Sequence, residues 1–174
     1  AKTPWNWITY QFTHANIFHL ISNLVFLFLI VALLEKAVST GWIICIYLFS
    51  GLGAGISYLL MSSGISLPVV GASGSISGLI AFLCITHGGR NIQWSYFFGP
   101  TQGMYGTIYM PAFLVIPFYL LSDLTGLINS SYGVSQAVAH SAHIGGALTG
   151  LFLGSVYLAE KYFLIEDYDF KSKL

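Results

Sequence analysis

Five stretches of this chain read as membrane helices, and that settles the class of fold before any motif is considered. They run from about Ile17 to Leu34, Trp42 to Met61, Ser73 to Ile85, Tyr109 to Leu127 and Ala137 to Leu158. A bilayer-crossing helix needs about 20 largely apolar residues. The chain is 56% hydrophobic and 7% charged, whereas a soluble domain carries about 25% charged residues. Too little polar surface remains to hold it in water, so the expected fold is all-α, a polytopic helix bundle within a lipid bilayer. Equal numbers of basic and acidic residues, 6 of each, leave no basic footprint for nucleic acid. Cys45 and Cys84 fall within expected spans and read as small packing groups.

The third segment is short. At about 1.5 Å per residue it covers about 20 Å, against a hydrocarbon core of about 30 Å. The residues before it, 62–68, are rich in serine and end at Pro68, and Gly71 follows. The chain is therefore expected to enter the membrane as a loop and begin this helix part-way down, with Ser73 at the junction.

The basic residues give an orientation. Lys36, Arg90, Lys161, Lys171 and Lys173 follow the first, third and fifth segments, and only Lys2 falls on the other face. The C-terminal tail, 161–174, is thus expected to be cytoplasmic, charged and solvated. Segments one, three and five then run in parallel and open with His19, Ser73 and His143 at one depth below the outer surface. Residues 1–16 read as an interfacial loop, since Trp5, Trp7, Tyr10 and Phe12 are aromatics suited to the headgroup region. The link 86–106 reads as a partly interfacial loop and 129–135 as a polar, mobile outer one. No cleavable signal peptide is visible, and the missing initiator Met suggests a processed or cut N-terminus.

Two glycine-flanked motifs carry the chemistry: Gly71-Ala72-Ser73-Gly74 and Ala142-His143-Ile144-Gly145-Gly146. Polar groups at membrane depth are functional candidates, and a serine with a histidine is the minimum for a base-activated nucleophile. Gly74 and Gly78 on one helix and Gly146, Gly150 and Gly154 on the other form small-residue faces that allow close approach. If those faces pack, the hydroxyl and the imidazole meet. Either glycine pattern alone would read as plain helix packing, and Ser73 alone as a packing serine. Both patterns beneath a Ser and a His favour catalysis. His140, one turn earlier, is the rival base. No carboxylate is placed to complete a triad, because Asp123 lies on the fourth segment and reads as an anchor for its outer end. His19 and Asn23, four apart, share a helix face.

These residues resemble the rhomboid intramembrane serine proteases, over nearly the whole chain. The family's nucleophile motif is matched by Gly71-Ala72-Ser73-Gly74. Its histidine motif is matched by Ala142-His143 with Gly146 and Gly150. His19 and Asn23 match its histidine and asparagine on an earlier helix. His14 also matches, as does the Glu35-Lys36 pair, which reads as a structural tie. The resemblance implies a rhomboid-type domain over residues 1–160, with Ser73 as nucleophile and His143 as base. It implies an oxyanion hole from His19, Asn23 and the Ser73 backbone N–H. Gly71, Gly74, Gly146 and His14 would support the site; for His14 the preferred reading is the purely structural one, a loop-bracing hydrogen bond. The implied substrates are transmembrane helices of other proteins, weakened near the outer surface.

Three departures stand out. The family's first of six spans is absent, which reads as a trimmed or incomplete chain. The usual tryptophan-arginine pair is Trp5-Asn6, and the aromatic expected four residues after the nucleophile is Ser77. The competing readings are a non-catalytic membrane protein that binds transmembrane helices and a metal site built from His14, His19, His140 and His143. The second lacks an HExxH motif and any nearby carboxylate or cysteine, so no metal or other cofactor is expected. The expected location is the bacterial inner membrane.

Overall fold

The computed structural model describes residues 5–62, 70–97, 99–114 and 133–171. A short helix α1 (Asn6–Thr9) and a 3-10 turn (Tyr10–Phe12) lead into α2 (Ile17–Leu34), α3 (Thr40–Ser62) and α4 (Ser73–His87). Next come β1 (Asn91–Phe97), β2 (Tyr105–Pro111), a second 3-10 turn (Ala112–Leu114) and a long helix α5 (Gly133–Lys171). Among the described residues, Ile17–Leu34, Thr40–Met61 and His140–Phe163 are long and apolar enough to cross a membrane.

Polarity is distributed as lipid demands. Phe18, Phe28, Leu60 and Phe152 point outward, each at least two-thirds exposed, while Gln11, Ser50, Ser75 and Ser77 are buried. In hydrocarbon an exposed phenylalanine costs nothing, and a polar group must find partners inside the protein. The bundle is a helical membrane domain.

α4 is its axis. From Gly74 to Cys84 every residue is buried, because α2, α3 and α5 all pack on it. A helix apolar all round, without a polar stripe, suits that central place. Glycine sets the spacing. A β-carbon on Gly146 would overlap the Gly74 carbonyl, one on Gly150 the Gly78 carbonyl, and one on Gly154 the Ile85 side chain. These contacts advance in the same direction on both helices, so α4 and α5 are parallel. α3 runs against both, meeting α4 at Ala54–Gly74 and Ser50–Gly78 and meeting α5 at Gly53–Thr149 and Ser57–Gly145. Away from the site, Leu34, Ile46, Leu79, Phe82 and Tyr157 close the core. The Tyr157 hydroxyl there donates to the Ala37 carbonyl at 3.2 Å.

Several stretches differ from expectation. The link after the third segment is not a loop: α4 continues to His87, and β1 and β2 pair as an antiparallel hairpin with Asn91 opposite Pro111 and Phe97 opposite Tyr105. Tyr109, expected to open the fourth segment, lies in β2; alternating β-branched and aromatic residues satisfy a strand as well as an apolar run. The hairpin returns to α4 through Cys84, whose thiol donates to the Ala112 carbonyl at 3.1 Å. Residues 133–135, expected in an outer loop, already belong to α5. The tail is also helical as far as Lys171, since charge alone does not stop a helix and no glycine or proline intervenes. At 39 residues α5 measures about 58 Å, far more than the hydrocarbon thickness. Residues 1–16 are not all loop, because α1 and its 3-10 turn occupy Asn6–Phe12. Glu35 and Lys36 are both exposed. Most of the expected fourth segment, with Asp123, lies outside the described residues.

Candidate active site

Ser73 is the first residue of α4. Gly71 makes the turn into it with φ +114°, a conformation that L side chains rarely adopt and glycine adopts freely. The Gly71 N–H donates to the Tyr10 carbonyl at 3.1 Å, which ties the turn to the 3-10 segment. Ala72 offers no side-chain cap, so the first-turn N–H groups are not taken by one, and the positive end of the helix faces the Ser73 region.

The parallel glycine seam carries His143 to the same level. Nε2 of His143 lies 2.8 Å from Oγ of Ser73, and both residues are half-buried. That is a full hydrogen bond, and its direction follows the tautomer. His140 stands one turn away, its ring centroid 6.4 Å from that of His143 in an edge-to-face arrangement. Of the two histidines, it is His143 that meets the serine. Ser77, in place of the expected aromatic, bonds back to the Ser73 carbonyl at 2.8 Å. The ring beside His143 is instead that of His140, nearly perpendicular to it.

α2 supplies the opposite wall. Asn16 caps it by accepting the His19 N–H at 2.9 Å. Around Gly71, an added β-carbon would lie 3.0 Å from His19 Nε2 and 3.9 Å from Asn23 Nδ2. Both side chains thus reach the turn two residues before Ser73. His19 Nδ1 accepts from the Ala15 N–H at 3.4 Å, so in the neutral ring the proton sits on Nε2, the ring nitrogen that reaches the turn. Asn23 is buried and gives one amide hydrogen to the His19 carbonyl at 2.8 Å, and its second has no acceptor among the described residues. The site therefore has a hydroxyl, an imidazole hydrogen-bonded to it, and two side chains bearing N–H groups at the turn before it.

His14 departs from expectation. It packs edge-on against His19 with centroids 5.1 Å apart, and its Nε2 is buried without a hydrogen-bond partner among the described residues. It braces its neighbour by ring contact, not through that nitrogen. No group of three or more metal-ligating side chains occurs among the described residues.

Sequence reasoning passed over Gln11 and Ser75. Gln11 is wholly buried, and its Oε1 accepts from the Ser75 hydroxyl at 2.9 Å, two residues past Ser73. The available signal was an amide set among the aromatics of an interfacial segment, with a second serine inside the nucleophile helix.

A family-wide profile described as the Rhomboid domain matches residues 1–160. Rhomboid-like protein 11, chloroplastic, of Arabidopsis thaliana is 30% identical over 163 residues, covering 91% of this chain and 53% of that protein. RHOMBOID-like protein 2 of the same plant is 31% identical, covering 88% and 42%. Rhomboid protease GlpG of Yersinia enterocolitica is 25% identical, covering 86% and 46%. The chain thus spans about half the length of these curated relatives. No solved structure gives a significant match.

Proposed function

The chain belongs to the rhomboid family, and we propose that it is an intramembrane serine endopeptidase that cleaves transmembrane segments of other proteins. The observation that carries this reading is the 2.8 Å contact between His143 Nε2 and Ser73 Oγ, with His19 and Asn23 facing the same turn. One relative, GlpG, bears the name of a protease.

In this mechanism Ser73 Oγ attacks the scissile carbonyl carbon while its proton passes to His143 Nε2. The carbonyl π-pair moves onto oxygen. That oxyanion is met by the Ser73 N–H, His19 Nε2–H and Asn23 Nδ2–H. As the C–N bond breaks, His143 returns the proton to the leaving amine. A water molecule then attacks the acyl carbon while His143 takes its proton; the ester C–Oγ bond breaks, and His143 returns that proton to Ser73 Oγ. A dyad without a carboxylate relies on packing to hold the imidazole, and the neighbouring His140 ring supports that reading. A substrate helix hides its carbonyls in its own hydrogen bonds, so it must unwind locally before attack. Segments with helix-weakening residues are the expected substrates.

The relatives named above include a chloroplastic protein, so they give no support to the bacterial inner membrane as the location. The cytoplasmic placement of the C-terminal end rests on the lysine and arginine bias alone. The reading is tested with a fluorophosphonate probe on the purified protein. Wild type should be labelled and Ser73→Ala should not. Equal labelling of the two would reject Ser73 as the nucleophile.

A further inference from the structure

We propose that Gln11 is a positioning residue that sets the N-terminus of α4, and with it Ser73, against His143; the catalytic part of this inference rests on the protease reading above.

Two adjacent residues grip the start of α4 from both sides of Ser73. The Tyr10 carbonyl accepts the Gly71 N–H at 3.1 Å, two residues before the serine. The Gln11 Oε1 accepts the Ser75 hydroxyl at 2.9 Å, two residues after it. Gln11 is itself held on all sides. Its Nε2 donates to the Leu48 carbonyl at 3.5 Å, and its own carbonyl accepts from the Tyr47 hydroxyl at 3.4 Å. The Tyr10 hydroxyl donates to the Gly51 carbonyl. Gly51 is the vacancy that admits the amide, since a β-carbon there would overlap the Gln11 side chain.

A fully buried amide is costly unless its hydrogen bonds are made, and networks of this kind enforce one geometry. Here the network joins α3, α4 and the interfacial segment at a single point. Among the described residues, the other restraints at this level are the Gly71–Tyr10 bond, the contact of Gly74 with Ala54 of α3 and the glycine seam with α5, and side-on packing of this kind still allows a rigid helix to slide or rock. The Gln11–Ser75 bond removes that freedom at the end that bears Ser73. Displacement of a reacting atom by about 1 Å costs about 10²-fold in rate.

The test uses Gln11→Met, which keeps the volume and length of the side chain and removes its hydrogen bonds, alongside Ser75→Ala and the double variant. Cleavage of a reporter helix in liposomes should show kcat lowered about 10-fold or more in Gln11→Met, with KM within about twofold. The double variant should be no worse than Gln11→Met alone, because both act through one bond. A second readout needs no proteolysis. In a Ser73→Cys background, iodoacetamide alkylation at pH 7, followed at residue 73 by peptide mass spectrometry because Cys45 is also exposed, reports the pairing of that thiol with His143. It should slow about 10-fold when Gln11→Met is added. Unchanged alkylation together with unchanged kcat in folded Gln11→Met and Ser75→Ala proteins would overturn the proposal. If wild type neither cleaves nor takes the fluorophosphonate, yet alkylation still slows, the protease reading fails and the positioning role stands. Should Gln11→Met not fold, Ser75→Ala decides by the same two measurements.

Discussion

His143 Nε2 and Ser73 Oγ meet at 2.8 Å across 70 residues of chain, and they do so because Gly146 lies flat on the Gly74 carbonyl. The imidazole sits one helical turn before Gly146 and the hydroxyl one residue before Gly74. The hydrogen bond is therefore a readout of how closely two backbones approach. His143→Ala leaves that approach intact and removes the base. Reporter cleavage should fall about 10³-fold or more, while the thermal midpoint changes little. Retention of more than a tenth of wild-type activity would remove His143 from the chemistry.

Gly146→Val tests the seam itself. The valine side chain must displace Gly74, whose backbone cannot yield as a flexible side chain would. Overpacking of this kind costs about 1–3 kcal/mol. Both stability and fluorophosphonate labelling should fall together. Gly41→Val, where an added β-carbon meets nothing within 4 Å, should leave both unchanged.

His19→Ala and Asn23→Ala separate transition-state binding from helix packing. Loss of one oxyanion donor costs about 3–4 kcal/mol in the barrier, about 10²–10³-fold in kcat. A hydrogen bond that only glues membrane helices averages about 0.6 kcal/mol and would show as reduced stability instead. The expected result is a fall in kcat at nearly constant KM, with Asn23→Asp failing to restore the rate because a carboxylate offers no donor.

The motif residues were legible because their information is local. Gly71 two before a serine, glycines four apart on two helices, and a histidine and asparagine four apart all declare themselves by spacing. The glycine spacing marked the α4–α5 seam, and the alternation of spans made the two helices parallel. What stayed hidden depends on contacts that spacing does not encode. Gln11 reaches Ser75 across 64 residues, and nothing in its neighbours marks it as wholly buried. The β1–β2 hairpin was obscured because Tyr105, Ile108 and Tyr109 look like the approach to a span, although Tyr109 pairs with Gln93 in a strand. The charged end of α5 looked like a tail because charge signals water, which says nothing about helical continuity.

Tyr10 predicts an alkaline limit to stability. Burial, with Tyr47 nearby as a second cause, pushes the phenol from its ordinary 10.0 up to about 12. The folded protein then holds the proton more tightly than the unfolded chain does. The Tyr10 contribution is complete below pH 10, declines between pH 10 and about 12 and is lost above that. Tyr10→Phe cannot ionise and lacks the bond to Gly51. Its deficit relative to wild type should be largest below pH 10 and shrink as the pH is raised, measured by unfolding in mild detergent. A deficit independent of pH would show that the phenol does not titrate with folding.

Gly71→Ala brings turn and donors into one experiment. At φ +114° an L side chain is strained whatever space surrounds it. The new methyl would in addition lie 2.8 Å from His19 Cε1, pressing on the ring that carries the proposed oxyanion donor. The turn can relax only by shifting Ser73, and the ring can relax only by swinging away from the site. Either movement lengthens a contact that the reaction needs. Cleavage should fall about 10²-fold or more, and fluorophosphonate labelling should slow in proportion, since that probe also needs the hydroxyl activated and its oxygen bound. His19→Ala added to Gly71→Ala relieves the clash but not the backbone strain. Stability should therefore recover only in part in the double variant, while cleavage does not recover. Recovery of cleavage with the imidazole gone would place the oxyanion entirely on Asn23 and the Ser73 N–H.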